Sequence, residues 1–341
     1  MKKWIKGAAA LVAVLSLTAS AQAAEWNFYG SARMETFYTD VDDNSGSDQQ
    51  NLVHTLQSNG RIGAKITVND NLKARFEYGS KSTVNLRQLW GEWNFGAGKL
   101  LVGQTYTPIY TAYSNSGYDS SNGLEKYGAT SASRQPMVRL TFGGFRIAAV
   151  EPETDALTGT STEVTFPKVE ASYTAKFDTV TVKAAAGYQS YEIDDTYDIN
   201  SYVLSIGAKA NLGPVYLAGS CFTGQNLAPY GFKLASDVDP DLLTGSSSVD
   251  DSEEFGFNLI FGYKLNDMFS MEAGYGYMEA ELDQAGSKED DASQYYLMGK
   301  ITLAPGVYIM PEIGIQDEGE DSSGNEENET TYVGAKWQIN F

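Results

Sequence analysis

One cysteine (Cys221), one histidine (His54) and nine prolines occur in 341 residues, and past the first 23 positions no apolar run approaches 20 residues. Each scarcity removes a class of protein. A single cysteine cannot build a disulfide scaffold or a cysteine-ligated zinc site. A single imidazole, lying in a polar stretch without a Ser-acid pair beside it, leaves no ordinary route to a Ser-His-acid hydrolase or a His-ligated metal centre, so no enzyme is expected. The missing apolar runs exclude a bundle of transmembrane helices. Basic residues are also few: 24 Lys and Arg stand against 44 Asp and Glu, a formal charge of -20 that argues against nucleic acid as a partner. Abundance lies elsewhere, in 34 Gly, 22 Tyr and 15 Phe, which still require a compartment and a fold.

The N-terminus supplies the compartment. Residues 1–23 place Lys2, Lys3 and Lys6 before a short apolar stretch, Gly7 to Leu17, and end on Ala21-Gln22-Ala23. That order is a secretory signal peptide, too short for a stop-transfer helix; a retained membrane anchor is the lesser alternative. Three lysines and no acid leave with it, so residues 24–341, read as a single domain, are more acidic still.

Beyond the signal, period-2 alternation in segments of about ten residues replaces helical periodicity. Val333, Ala335, Trp337, Ile339 and Phe341 share one parity, and Tyr332, Gly334, Lys336, Gln338 and Asn340 share the other. Seven tight turns rich in Asn, Asp, Gly and Pro, from Val68-Asn71 to Leu303-Gly306, alternate with eight longer connections near residues 39–53, 79–84, 107–134, 150–164, 190–199, 224–253, 280–293 and 316–328. Fifteen connections imply sixteen strands. The expected fold is all-β: a 16-stranded antiparallel transmembrane barrel with short periplasmic turns and long external loops. A soluble β-sandwich or propeller also alternates. Its polar face would be a hydrated surface of Lys, Glu and Thr, whereas this one is full of Gly, Ser, Asn and isolated charges.

Several segments resemble Gram-negative general porins. They are Phe28-Tyr29-Gly30; Arg61-Ile62-Gly63-Ala64-Lys65 followed by Asn71-Leu72-Lys73-Ala74; Val102-Gly103-Gln104-Thr105-Tyr106-Thr107-Pro108; and the closing Phe341. Their order and spacing match over the N-terminal third, and the remainder matches in strand count and loop alternation. The resemblance implies an outer-membrane barrel, usually a homotrimer, whose third long loop, residues 107–134, folds inward as a constriction.

Parity gives the lumen. A Lys or Arg facing lipid at mid-membrane costs about 2 to 4 kcal/mol, so charges flanked by apolar neighbours should point inward. This rule assigns Arg33, Arg61, Lys65, Lys73, Arg75, Arg139, Arg146, Lys168, Lys183, Lys209, Lys264, Lys300 and Lys336, with Glu35, Glu77, Glu92, Glu170, Glu272 and Glu312. The wall is more basic than acidic. If residues 107–134 fold inward, Asp119, Glu125 and Lys126 should meet wall arginines across the narrowest point. Arg61 matches the arginine of the family's second motif, while Gln104 stands where the family has another; the third member is Arg134 or Arg139, and Pro136 marks an edge or a bulge.

The surplus acid lies in external loops, as in Asp237, Asp239 and Asp241. Such runs are first of all solvated, with Ca²⁺ binding and bridging to lipopolysaccharide as the sharper alternative; no other cofactor is implied. Cys221 reads as a packing residue and His54 as a surface one. Trp26, Trp90, Trp93, Trp337 and the tyrosines fit interfacial girdles, with sugar stacking along the pore as a minor alternative. The expected function is a water-filled channel for passive diffusion of small hydrophilic solutes and ions, leaning to anions. A structural or adhesive barrel whose acidic loops bind divalent cations is the competing reading.

Overall fold

The computed structural model describes residues 24–43, 49–80, 83–121, 123–154, 161–194, 196–232, 251–283 and 286–341; the signal segment and Asp237, Asp239 and Asp241 lie outside them. Eighteen strand segments form one sheet. Two pairs of segments are collinear: Gln49–Leu56 and Arg61–Asn69 both pair with Glu25–Asp42, and Thr162–Glu163 and Lys168–Phe177 both pair with Val180–Ile193. Each pair is one interrupted strand, which leaves sixteen. In order they are β1 (Glu25–Asp42), β2 (Gln49–Leu56 and Arg61–Asn69), β3 (Leu72–Ser80), β4 (Val84–Asn94), β5 (Lys99–Tyr106), β6 (Arg134–Phe142), β7 (Phe145–Val150), β8 (Thr162–Glu163 and Lys168–Phe177), β9 (Val180–Ile193), β10 (Tyr197–Leu212), β11 (Val215–Gln225), β12 (Ser252–Lys264), β13 (Phe269–Leu282), β14 (Asp290–Ala304), β15 (Val307–Asp317) and β16 (Glu329–Asn340).

Every neighbouring pair is antiparallel, and β1 pairs with β16 from Ser31↔Asn340 to Asp42↔Glu329, which closes the sheet. Closure removes both sheet edges, as a strand structure in lipid requires, because no water is present to satisfy an open edge. Gly30 and Phe341 complete the seam by exchanging backbone hydrogen bonds of 2.6 and 3.1 Å. The tight turns fall where Asn, Asp, Gly and Pro signalled them. Gly306 shows why glycine is needed there: its φ is 83°, and a Cβ would stand 2.8 Å from the Asn340 carbonyl.

The face that parity assigned to lipid carries exposed apolar side chains, among them Leu204, Ile206, Leu259, Leu297 and Ile313. Aromatic residues cluster toward both ends of this band, with Trp26, Trp93, Phe142 and Phe177 near the turns and Tyr38, Tyr188, Tyr202 and Tyr295 near the loops. Trp90 departs from the girdle expectation. It pairs with Arg75 and Gly103 on the lumen parity and packs against Leu101, Met137, Ala148 and Val150. His54 lies within β2 rather than in a loop, and its Nδ1 is 2.9 Å from Thr36 Oγ1 on the outer face.

Candidate functional site

Strands β1 to β4 bring Arg33, Arg61, Lys65, Arg75 and Arg87 to one side of the lumen. Their centre is Glu77, a carboxylate with no exposed side-chain surface. It accepts hydrogen bonds from Arg75 Nη2, Arg87 Nε and Tyr29 OH, each at 2.8 Å, and Arg61 Nη1 lies 3.7 Å away. Tyr29 in turn accepts from Arg75 Nε at 2.8 Å, with the Arg75 guanidinium 5.2 Å and the Lys65 ammonium 5.9 Å from its ring centre. One negative charge thus holds three guanidinium groups in place, so the patch keeps a net positive charge. Arg33 donates to Ser31 Oγ at 2.9 Å and forms no ion pair among the described residues. Below these residues opens a cavity of about 430 Å³, lined by Ser31, Arg33, Arg61, Lys65, Arg75 and Gln338.

Arg87 escapes the parity rule for a structural reason. Glu77 pairs with Gln88, yet Tyr78 pairs with Leu86, so a β-bulge places Arg87 and Gln88 side by side. Both are buried on the inside, while Leu86 and Leu89 are exposed on the outside. Two polar residues between two leucines, where strict alternation allows one, are the visible signal of that bulge.

Gln104 is not part of the cluster. It pairs with Leu89 and Pro136 on the outer face, and its Nε2 donates to the Leu86 carbonyl at 3.1 Å. The parity of Val102 and Val138, both exposed, carries it outward. Arg134 and Arg139 also separate. Arg134 donates to Tyr106 OH at 2.9 Å and interacts electrostatically with Arg61. Arg139 lies 3.8 Å from Glu92 and shares a second basic patch with Arg146 and Lys183. Pro136 marks an edge and no bulge: β7 ends at Val150, opposite Met137, so the missing amide of Pro136 breaks no ladder bond.

Residues 107–121 and 123–133 fold into the barrel. An irregular backbone there must find partners for its polar groups, and the wall carboxylates provide them. Glu170 accepts the Ile109 amide at 3.3 Å and Glu35 the Ser120 amide at 3.0 Å. Glu272 accepts both the backbone and the side-chain amide of Asn115 at 2.6 Å. Glu312 accepts Ser116 Oγ at 2.7 Å and Tyr332 OH at 3.0 Å, and takes the Gly117 amide as well. Lys183 donates to the Tyr110 carbonyl at 2.5 Å, and Lys336 is buried against Gly117. Apolar packing completes the clamp. Ile109, Leu124, Tyr127, Ala129 and Ala132 join Val203, Phe222, Tyr296 and Tyr332 in one buried cluster, and Tyr118 stacks on Tyr332 at 3.8 Å.

The loop charges divide. Glu125 bonds Ser131 and faces Arg134 and Arg87 electrostatically. Asp119, in a left-handed turn at φ 46°, acts electrostatically on Tyr118 and on Glu125 itself. Lys126 is exposed.

In the last external loop the acids bind backbone. Asp321 Oδ1 accepts the amides of Ser323 and Asn325 at 2.9 and 2.8 Å, and Asp317 Oδ1 accepts that of Gly319 at 3.0 Å. Hydrogen bonds from Asn325 hold the Asp321 carboxyl below its ordinary range. Burial, with Asp290, Glu318 and Asp321 close by, pushes Glu327 up. Among the described residues no group of three or more His, Cys, Asp or Glu is placed to hold a metal ion.

A family model described as Gram-negative porin matches residues 7–336. The fold is similar to the outer membrane channel DcaP of Acinetobacter baumannii, at 17% identity and a TM-score of 0.79 over 93% of this chain and 97% of that one. An anion-selective porin from Comamonas acidovorans matches at 14% identity, TM-score 0.65, over 93% and 100%. OmpT of Vibrio cholerae in its trimer form matches at 16% identity, TM-score 0.60, over 93% and 100%. A search of curated protein sequences finds no significant match.

Proposed function

Because the chain belongs to the Gram-negative porin family, we propose that its lumen passes small hydrophilic solutes by diffusion, without chemistry, and favours anions. One observation carries the preference. The six wall carboxylates that parity assigns are all engaged: Glu35, Glu170, Glu272 and Glu312 by the folded-in loop, Glu77 by arginines, and Glu92 by Lys99 and Arg139. Arg33, Lys65, Arg134 and Arg146 form no ion pair among the described residues, so the water path sees cations. In a narrow passage these charges are screened less than the acids of the outer loops, which lie in bulk electrolyte. Glu125 opposite Arg87 and Arg134 adds a transverse field that orients dipolar solutes.

The same reading makes the assembly a homotrimer, as in the trimer form of OmpT. Thr36, His54 and Gln104 are polar groups on the outer face, where contact with lipid is costly and contact with another copy satisfies them. Planar-bilayer recording of the purified protein tests the channel: stepwise conductance is expected, and its absence over many insertions contradicts the proposal.

A further inference from the structure

Past β11 the chain turns back into the lumen before it leaves the described residues. Leu227, Tyr230 and Phe232, in a connection that sequence pattern alone reads as an outer loop, are each no more than 1% exposed. Asn226 starts the turn, its Nδ2 donating to the Asn200 carbonyl at 3.0 Å and its Oδ1 accepting the Ser252 amide at 2.9 Å. A single 3-10 turn, Ala228–Tyr230, then ends at Gly231, φ 79°. Every anchor is a lumen position of the wall. The Leu227 amide donates to Glu254 at 2.8 Å, and Lys168 Nζ donates to the Pro229 carbonyl. Tyr230 fills the space left by Gly187, where a Cβ would stand 2.5 Å from its ring. Phe232 stacks on Phe222 at 4.7 Å. These side chains share one buried cluster with Ala129 and Ala132 of the first folded-in loop and with Val203 of β10.

We propose that residues 226–232 are a second constriction element. Together with residues 107–121 and 123–133, which are anchored on β8, β9, β13 and β15, they fill the side of the lumen that faces β8 to β15, and hydrated ions pass only along the arginine side, lined by β1 to β7 and by Gln338 of β16. The proposal rests on the channel reading and explains how one wall governs selectivity. A sixteen-stranded barrel leaves an aqueous lumen wide enough for a path that bypasses the arginines, and an apolar filling shuts that path by excluding water.

Thiol labelling tests it. In a Cys221→Ser background, single cysteines are placed at Val203→Cys, beneath this segment, and at Gln338→Cys, on the arginine side, and exposed to a small water-soluble methanethiosulfonate. Gln338→Cys should label promptly and Val203→Cys on the order of tenfold more slowly or worse, since it must wait for a local opening; equal rates overturn the proposal. Adding Tyr230→Ala with Phe232→Ala should release the protection, raise single-channel conductance and shift the reversal potential toward zero. Unchanged conductance and selectivity in a variant of normal strand content overturn it too. Should that variant not fold, the labelling contrast alone decides. A parent protein without conductance steps would instead remove the channel reading, and the labelling contrast would still report whether water reaches this half of the lumen.

Discussion

Glu77 shows how much one residue organises here. Its carboxylate sits within 3.7 Å of three guanidinium groups and is itself fully buried. Removing one partner of a buried charge pair leaves like charges uncompensated, a loss on the order of 3 kcal/mol. Glu77→Gln should therefore lower the urea midpoint of the barrel while it makes the channel more anion-selective; a more stable or less selective variant contradicts this role. Glu327 and Asp321 carry the pH dependence of the last external loop. A carboxyl with a raised folded pKa adds stability that is complete below its unfolded pKa and is lost as pH rises through the raised value; a depressed carboxyl does the reverse. Glu327 is raised and Asp321 lowered. Acidification from neutral should first order the loop, and only below the ordinary carboxylate range should the Asp321 turn loosen. Hydrogen exchange of the Ser323 and Asn325 amides across pH, corrected for intrinsic rates, checks this; protection that falls steadily from neutral downward contradicts it.

At the scale of single elements, alternation was legible wherever a strand is regular, and the turns declared themselves through Gly306, Gly213-Pro214 and their like. Legibility failed at two kinds of place. A bulge at Arg87 breaks period 2, so a rule counting every second residue misses a guanidinium at the heart of the cluster. The uses of Glu35, Glu170, Glu272 and Glu312 depend on which backbone amides of a distant loop come to lie beside them, and parity says only that they face inward. That loop is clamped element to element, which makes its anchors testable. Glu312→Leu strands the donors of Ser116, Gly117 and Tyr332, costing on the order of 1 to 3 kcal/mol for each buried donor left unpaired. The expected outcome is a noisier single-channel current with larger mean conductance, because the loop tip swings from the wall; a quiet channel of unchanged conductance argues that apolar packing alone holds the loop.

For the whole molecule, a net charge of -20 conceals a segregation of signs. Acids crowd the external loops or are consumed in holding the lumen loops, while Arg33, Lys65, Arg134 and Arg146 form no ion pair among the described residues. Composition argues against nucleic acid and against enzymes of the His-dependent kind, yet it has no means of separating acids in the loops from cations on the wall. The outer wall makes a further claim about assembly. If Thr36 and His54 face a neighbouring copy, replacing both with leucine should weaken the trimer in detergent electrophoresis; if they face lipid, the same change should leave it equally or more resistant. The proposed anion preference stands on the sign of the lumen. A reversal potential measured across a KCl gradient in a planar bilayer reads that sign directly: it should lie on the chloride side of zero and move toward zero in Arg33→Gln with Lys65→Gln, whereas a potential on the potassium side would contradict the account.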